Sequence, residues 1–282
     1  MGGSGLYQMD GLTGIQEHLI STPFGAPSDA LITGEMEGMQ VAFLARHGRG
    51  HRLIPSEIPF LANLWALKSL GVRYILSLSA VGSLQEHIAP LDAVLPDQFI
   101  DQTRSRPHSF FGDGAVAHVS LADPVCLSLQ ELVWQAAQQT GFGRGKVHRG
   151  GTYLCIEGPQ FSTRAESQLF RQWGATVVGM TNLPEARLAR EAEMAYATIA
   201  LVTDYDCWRE QTEAVTAEMA MANLQENASN AQRLVREVVR RLHANPPPSA
   251  AHDALAKSLV TPISAMRPEL IERLRPLLQK YL

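Results

Sequence analysis

Two aspartates, Asp204 and Asp206, follow the apolar run 198–203 in Thr203-Asp204-Tyr205-Asp206-Cys207-Trp208. Residues two apart on an extended chain project to the same side, so the spacing predicts two carboxylates side by side at a strand end. Such groups are costly there unless paired or used. Burial or a like-charged neighbour lets a carboxyl keep its proton closer to neutrality. A pair of this kind can protonate a leaving group. Acids capping a helix at a turn would show the same letters.

Other positions suit an anion. Arg46-His47-Gly48-Arg49-Gly50-His51 directly follows the apolar run 41–45. Ligands of open α/β sheets gather at the carboxyl ends of strands, and arginine can hold phosphate through two hydrogen bonds. A solvated basic loop would read alike. Gly2-Gly3-Ser4-Gly5 offers an approachable backbone and a hydroxyl, and it is not the GxGxxG dinucleotide pattern. Ser77, Ser79, Ala80, Gly82 and Ser83 close another apolar run with small residues that leave space and offer donors. Thr181 adds a hydroxyl after Met180, and Phe161-Ser162 lies in a further loop where a ring could cover a planar base. Taken singly, Met180 and Phe161 read as core.

The elements that must carry these groups are short apolar runs alternating with helical patterns. Strands are predicted at 41–45, 74–79, 93–98, 152–157, 176–180 and 198–203, several of them continuously apolar, as strands covered on both faces are. Helices are predicted at 59–70, at 128–139, after Ser162 where Thr163 and Glu166 have capping-box spacing, and at 184–194. A long helix is expected over 212–243, a proline-rich break over 244–251, and a C-terminal helix over 264–282. In the last, Leu270, Ile271, Leu274, Leu277, Leu278 and Tyr281 form one apolar stripe that reads as ordinary packing. The alternation implies an α/β fold over 1–282: a single domain with a mixed, mostly parallel central β-sheet flanked by helices.

Composition narrows the classes. With 282 residues, 45% of them hydrophobic and 18% charged, the chain can bury a large core. A net charge of −4 lacks the basic excess of a nucleic-acid binder. The three cysteines, Cys126, Cys155 and Cys207, are widely spaced without a CxxC, so neither a disulfide framework nor a zinc site is expected. No apolar run reaches the roughly 20 residues of a membrane span, and the N-terminus has no signal-peptide pattern. A cytoplasmic protein without membrane or nucleic-acid partners is expected.

Together the motifs resemble the methylthioadenosine phosphorylase branch of the trimeric purine nucleoside phosphorylase family. The likeness is carried by GGSGLY (2–7), ARHGRGHRLIPSEIPFLANLWALKSLG (45–71), SAVGSL (79–84), DQFIDQT (97–103), IEGPQFSTRAES (156–167), GMTNLPEARLAREAEMAYATIALVTDYDCW (179–208) and ENA (226–228), in order through most of the chain. The resemblance implies phosphorolysis of 5′-methylthioadenosine, with inorganic phosphate as co-substrate and no metal or organic cofactor. It implies phosphate contacts from Ser4, Arg46, His47, Ser79, Ala80 and Thr181. Nucleoside contacts would come from His51, Phe161, Ser162 and Met180, with the base facing Asp204 and Asp206. It also implies a homotrimer in which His118 closes the 5′ pocket of a neighbouring subunit. Two carboxylates suit a 6-amino purine better than a 6-oxo one. In this family a short apolar strand precedes the glycine loop, and here one residue does. Either the start is trimmed or misassigned, or the first strand is absent, which would expose a sheet edge or leave a neighbour under-packed.

Overall fold

The computed structural model describes residues 1–2, 11–209 and 217–282. The chain opens with an antiparallel sheet of β1 (Thr13–His18), β2 (Leu31–Met36) and β3 (Met39–Phe43). There follow α1 (Phe60–Ser69), β4 (Tyr74–Ser83), β5 (Ala93–Leu95), β6 (Gln98–Gln102) and α2 (Leu127–Thr140). Next come β7 (Val147–Arg149), β8 (Thr152–Ile156), α3 (Arg164–Gln172), β9 (Val177–Gly179), α4 (Asn182–Glu191) and β10 (Ala195–Asp204). The long α5 (Ala217–Ala244) and the short α6 (Pro268–Arg273) and α7 (Arg275–Leu278) complete the order.

The central sheet has seven strands in the order β6-β8-β9-β4-β10-β5-β7. The pairings β4/β10, β6/β8, β8/β9 and β5/β7 are parallel, while β5/β10 and β4/β9 are antiparallel. This is the mixed, mostly parallel sheet expected. β10 is buried at all ten positions, because helices cover both of its faces. Tyr196, Ala200 and Val202 pack with Phe60 and Leu64 of α1, Leu188 of α4 and Leu274 and Leu277 near the C-terminus. Ile199 and Leu201 pack with Val133 of α2 and Leu234 and Val238 of α5.

Three expectations change, and a fourth is described only in part. The run 93–98 is two strands: Pro96, which lacks an N–H, breaks it, and Gln130 of α2 donates to the carbonyls of Leu95 and Pro96 at 2.8 and 2.9 Å. The run 41–45 becomes β3 and joins the small antiparallel sheet rather than the central one. The expected C-terminal helix is a 3₁₀ turn at Ile263–Ala265 followed by α6 and α7; Pro276 denies the helix its ladder donor, yet the apolar stripe still packs, with Leu270, Leu274, Leu277 and Leu278 buried. Of the long helix, 212–216 lies outside the described residues. The flank of β4 near its start meets Met1, whose amine donates to the Leu76 carbonyl at 2.8 Å and whose carbonyl accepts from the Leu78 amide at 2.9 Å. Gly2 bridges to Ala45, which ties β4 to the segment carrying Arg46.

Candidate active site

The carboxyl ends of β4, β9 and β10 and the loop after β8 surround a cavity of about 320 Å³. Arg46, His47, His51, Ser79, Ala80, Phe161, Ser162, Met180, Thr181, Asp204 and Asp206 all line it. Residues spread over 160 positions of sequence thus meet where the parallel strands β4 and β10 end, with β9 running antiparallel beside β4 and the segment after β3 brought in from the smaller sheet. Ser4 lies outside the described residues. His118 is exposed and does not line this cavity; it follows Ala117, which bridges to Leu259. Phe161 is not core: it is 46% exposed.

The aspartate pair forms by a route other than strand alternation. β10 ends at Asp204, after a register shift against β4, and Asp206 takes a left-handed φ of 51°, a conformation Asp tolerates better than most residues. The turn lets the Asp206 amide donate to Asp204 Oδ1 at 2.8 Å, while the Thr203 hydroxyl donates to Oδ2 at 2.7 Å. Both carboxyls are pushed above the usual carboxylate range: Asp204 by burial, Asp206 by burial and by the charge of Asp204. The Ser167 and Ser162 hydroxyls lie close enough to Asp206 to temper that shift. Neither closes a hydrogen bond on it, and among the described residues Asp206 Oδ2 and both hydroxyls are buried without a partner. A carboxyl Oδ2 that is raised, buried and unpartnered is free to serve a ligand. Gly82 makes the pair possible, since a Cβ there would lie 2.9 Å from Asp204 Oδ1 and 3.1 Å from Asp206 Cβ.

Elsewhere in the lining, Ser79 and Thr181 bring their hydroxyls within 3.0 Å of each other. Behind them is Tyr153, whose hydroxyl meets Ser79 Oγ at 3.0 Å and accepts from the Thr181 amide at 3.5 Å. Burial pushes the Tyr153 hydroxyl up to about 12, so it remains a neutral donor. His47 presents Nδ1 to the Leu53 carbonyl at 2.9 Å. A carbonyl only accepts, so Nδ1 carries a proton. His51 stacks on His47 with ring centroids 4.3 Å apart. Burial lowers both imidazoles, His47 to about 4, so neither is a cation near neutral pH.

Arg46 is not in a solvated basic loop. It is 1% exposed, and its Nε and Nη2 grip Glu185 at 2.6 and 3.0 Å. The two-pronged edge expected to meet phosphate is therefore committed inward. Sequence reasoning missed Glu185, Tyr153 and Arg106. Arg106, 3% exposed, donates to the carbonyls of Met180 and Leu183 at 2.7 Å and of Glu157 at 2.6 Å, holding two site loops together. Glu185 and Tyr153 stand inside the motifs singled out above or beside them, but nothing in their letters distinguishes a buried partner from a surface residue. Asn223 and Asn227 of α5 donate to the carbonyls of Thr203 and Val202 at 2.6 and 3.1 Å, which gives the ENA motif a physical role at the end of β10. Among the described residues, no three His, Cys, Asp or Glu side chains could hold a metal ion together, and no helix is long and apolar enough to cross a membrane.

This sheet, with donor groups and a carboxyl pair at its carboxyl edge, defines the class: the chain belongs to the phosphorylase superfamily, whose family model matches residues 1–240. Its relatives point to one branch. It is 58% identical to the S-methyl-5′-thioadenosine phosphorylase of Thermosynechococcus vestitus, over 100% of this chain and 98% of that one. It is 49% identical to that of Geobacter sulfurreducens, over 100% and 97%. Among solved structures, a methylthioadenosine phosphorylase from an antarctic soil metagenomic library superposes with a TM-score of 0.94 at 56% identity, covering 98% of this chain and 96% of the other. The Schistosoma mansoni methylthioadenosine phosphorylase in complex with adenine superposes at 0.80 with 36% identity, over 86% and 91%.

Proposed function

We propose that this chain cleaves 5′-methylthioadenosine with inorganic phosphate, releasing adenine and 5-methylthioribose 1-phosphate. The observation that carries the reading is one cavity with a buried, protonatable carboxyl pair at one part of its lining and a guanidinium, hydroxyls and backbone N–H groups at another. A phosphate oxygen attacks C1′ as the C1′–N9 bond breaks, and the bonding pair leaves with the purine. Phosphate, held by Arg46, His47, Ser79, the Ala80 backbone and Thr181, with Ser4 as a further hydroxyl contact, stabilises the positive charge developing on the ribose. Asp204 and Asp206 stabilise the purine by donating to N7 and accepting from the 6-amino group. The nucleoside rests on Met180, Phe161, Ser162 and His51. His118 reaches the 5′ end of a neighbouring subunit's substrate in a homotrimer. The chain works as a single domain in the cytoplasm, and phosphate is the one co-reactant needed.

A 6-oxo purine would set its oxygen against a carboxylate, and a mispaired buried group can discriminate by about 10⁴-fold or more. The test is release of free base from 5′-methylthioadenosine, adenosine and 5′-methylthioinosine, each with and without phosphate. Phosphate-dependent adenine release that is fastest from methylthioadenosine is expected. Hypoxanthine from the inosine analogue at an equal rate would overturn the aspartate assignment, and release independent of phosphate would overturn the reaction class.

A further inference from the structure

Arg46 has five N–H donors, and the described residues account for four of them. Nε and one Nη2 hydrogen go to Glu185 at 2.6 and 3.0 Å, the other Nη2 hydrogen to Ser77 Oγ at 2.7 Å, and one Nη1 hydrogen to the Leu78 carbonyl at 3.1 Å. One Nη1 hydrogen is left, on a side chain that lines the cavity. Glu185 is itself held from every side. Its Oε1 accepts from Ser77 at 2.7 Å and from Tyr196 at 2.8 Å, as well as from Arg46. Asn182 braces both partners, donating to Ser77 Oγ at 3.1 Å and to the Tyr196 hydroxyl. Glu185, Ser77 and Asn182 are 0% exposed and Tyr196 1%.

From this geometry we infer that Glu185 is a positioning residue for phosphate: it fixes the guanidinium of Arg46 so that its last N–H is directed at the anion. The inference rests on the reading of Arg46 as a phosphate contact. Glu185 lies in the first turn of α4, four residues after Thr181, so one segment supplies a phosphate hydroxyl and the brace for the phosphate arginine. The buried pair is neutral overall. Arg46 therefore recognises phosphate by the direction of an N–H bond rather than by uncompensated charge. That suits a co-substrate whose product must also leave. An unbraced arginine would keep its charge but lose its aim, because its side chain has many rotamers and the carboxylate fork selects one.

The test compares folded Glu185→Gln with the unmodified chain, measuring KM separately for phosphate and for 5′-methylthioadenosine. Glutamine offers one acceptor and one NH₂ where the fork needs two acceptors, so the guanidinium must rotate. A lost hydrogen bond to a charged group corresponds to about tenfold or more. The expected result is a phosphate KM raised by that factor, with the nucleoside KM within about twofold of its original value. A purely structural role would reduce the folded fraction, or shift both KM values together. Unpairing a buried charge can prevent folding; in that case Glu185→Asp carries the test, because it keeps the charge paired while drawing the carboxylate back by one methylene. It is expected to raise the phosphate KM severalfold and leave the nucleoside KM unchanged. No change in the phosphate KM of whichever variant folds, or an equal change in both KM values, overturns the inference. Arg46→Lys, which keeps Glu185 paired with a cation but removes the Nη1 donor, separates the two levels: if it leaves the phosphate KM unchanged, the phosphate reading itself has failed. If Arg46→Lys raises the phosphate KM and the Glu185 variants do not, only the brace has failed.

Discussion

Asp204 is the residue on which the proposed chemistry turns, and its burial has two consequences. A carboxyl held above its usual pKa stays protonated to higher pH, so the acid needed at the leaving base is present until pH passes the raised value. Asp204→Asn is expected to lower kcat/KM for 5′-methylthioadenosine by about 10²-fold or more, and to remove the alkaline fall of the rate profile. The same shift costs stability. A folded-state pKa above the unfolded one means the folded chain binds more protons, so stability declines as pH rises from the ordinary carboxylate range through the raised value. The asparagine variant escapes this. Its melting temperature should exceed that of the unmodified chain by more at pH 8 than at pH 4. An advantage independent of pH would mean the carboxyl is not desolvated. Glu185 has the opposite sign: its carboxyl is held low, chiefly by Arg46 acting against burial. Its contribution is present above the ordinary carboxylate range and is lost as pH falls through the lowered value. Gly82→Ala tests the pair sterically, since a Cβ 2.9 Å from Asp204 Oδ1 must displace it. Activity should fall while the phosphate KM holds.

At the scale of elements, the loop 158–162 is held from both ends. Arg106 fixes the Glu157 carbonyl. On the far side, α3 starts at a capping box in which the Glu166 amide donates to Thr163 Oγ1 at 3.2 Å and the Thr163 amide donates to Glu166 Oε2 at 2.7 Å. Between them sit Phe161 and Ser162, at the cavity. Losing a cap of this type costs about 1 kcal/mol. Thr163→Ala should therefore lower the unfolding free energy by that order in a denaturant titration. It should also raise the nucleoside KM severalfold without moving the phosphate KM, because Ser79 lies on β4 and Thr181 at the start of α4, outside this loop. Equal changes in both constants would show that the loop does not act locally.

For the whole molecule, binding of phosphate to the folded chain alone must stabilise it. At one hundred times its Kd the gain is about 2.7 kcal/mol, which appears as a rise in melting temperature under calorimetry. Arg46→Lys, which keeps a cation against Glu185 but removes the Nη1 donor, should abolish most of this shift, whereas Asp204→Asn should retain it, because the aspartates are proposed to meet the base rather than phosphate. Loss of the shift in both variants would mean that phosphate and base share one subsite. The assembly can be read by sedimentation velocity: a trimer is expected, and a His118→Ala variant that stays trimeric should show a raised nucleoside KM.

The order of strands and helices, the capping box at Thr163 and the cluster of chemistry-bearing residues were legible in the sequence. They depend on local preferences, on the apolar period and on motifs that keep their spacing along the chain. Eleven of the thirteen expected site residues line one cavity; Ser4 lies outside the described residues, and His118 is not part of that lining. Tertiary structure decided the rest. Whether Arg46 turns outward or inward depends on Glu185, which stands 139 residues away. Pro96 breaks the run 93–98, but only the fold sends its halves to different neighbours, β5 between β10 and β7 and β6 against β8. Whether the aspartates meet depends on a left-handed turn and on the missing side chain of Gly82. Local spacing carries no record of long-range partners, and the burial and aim of a charged side chain are set by those partners.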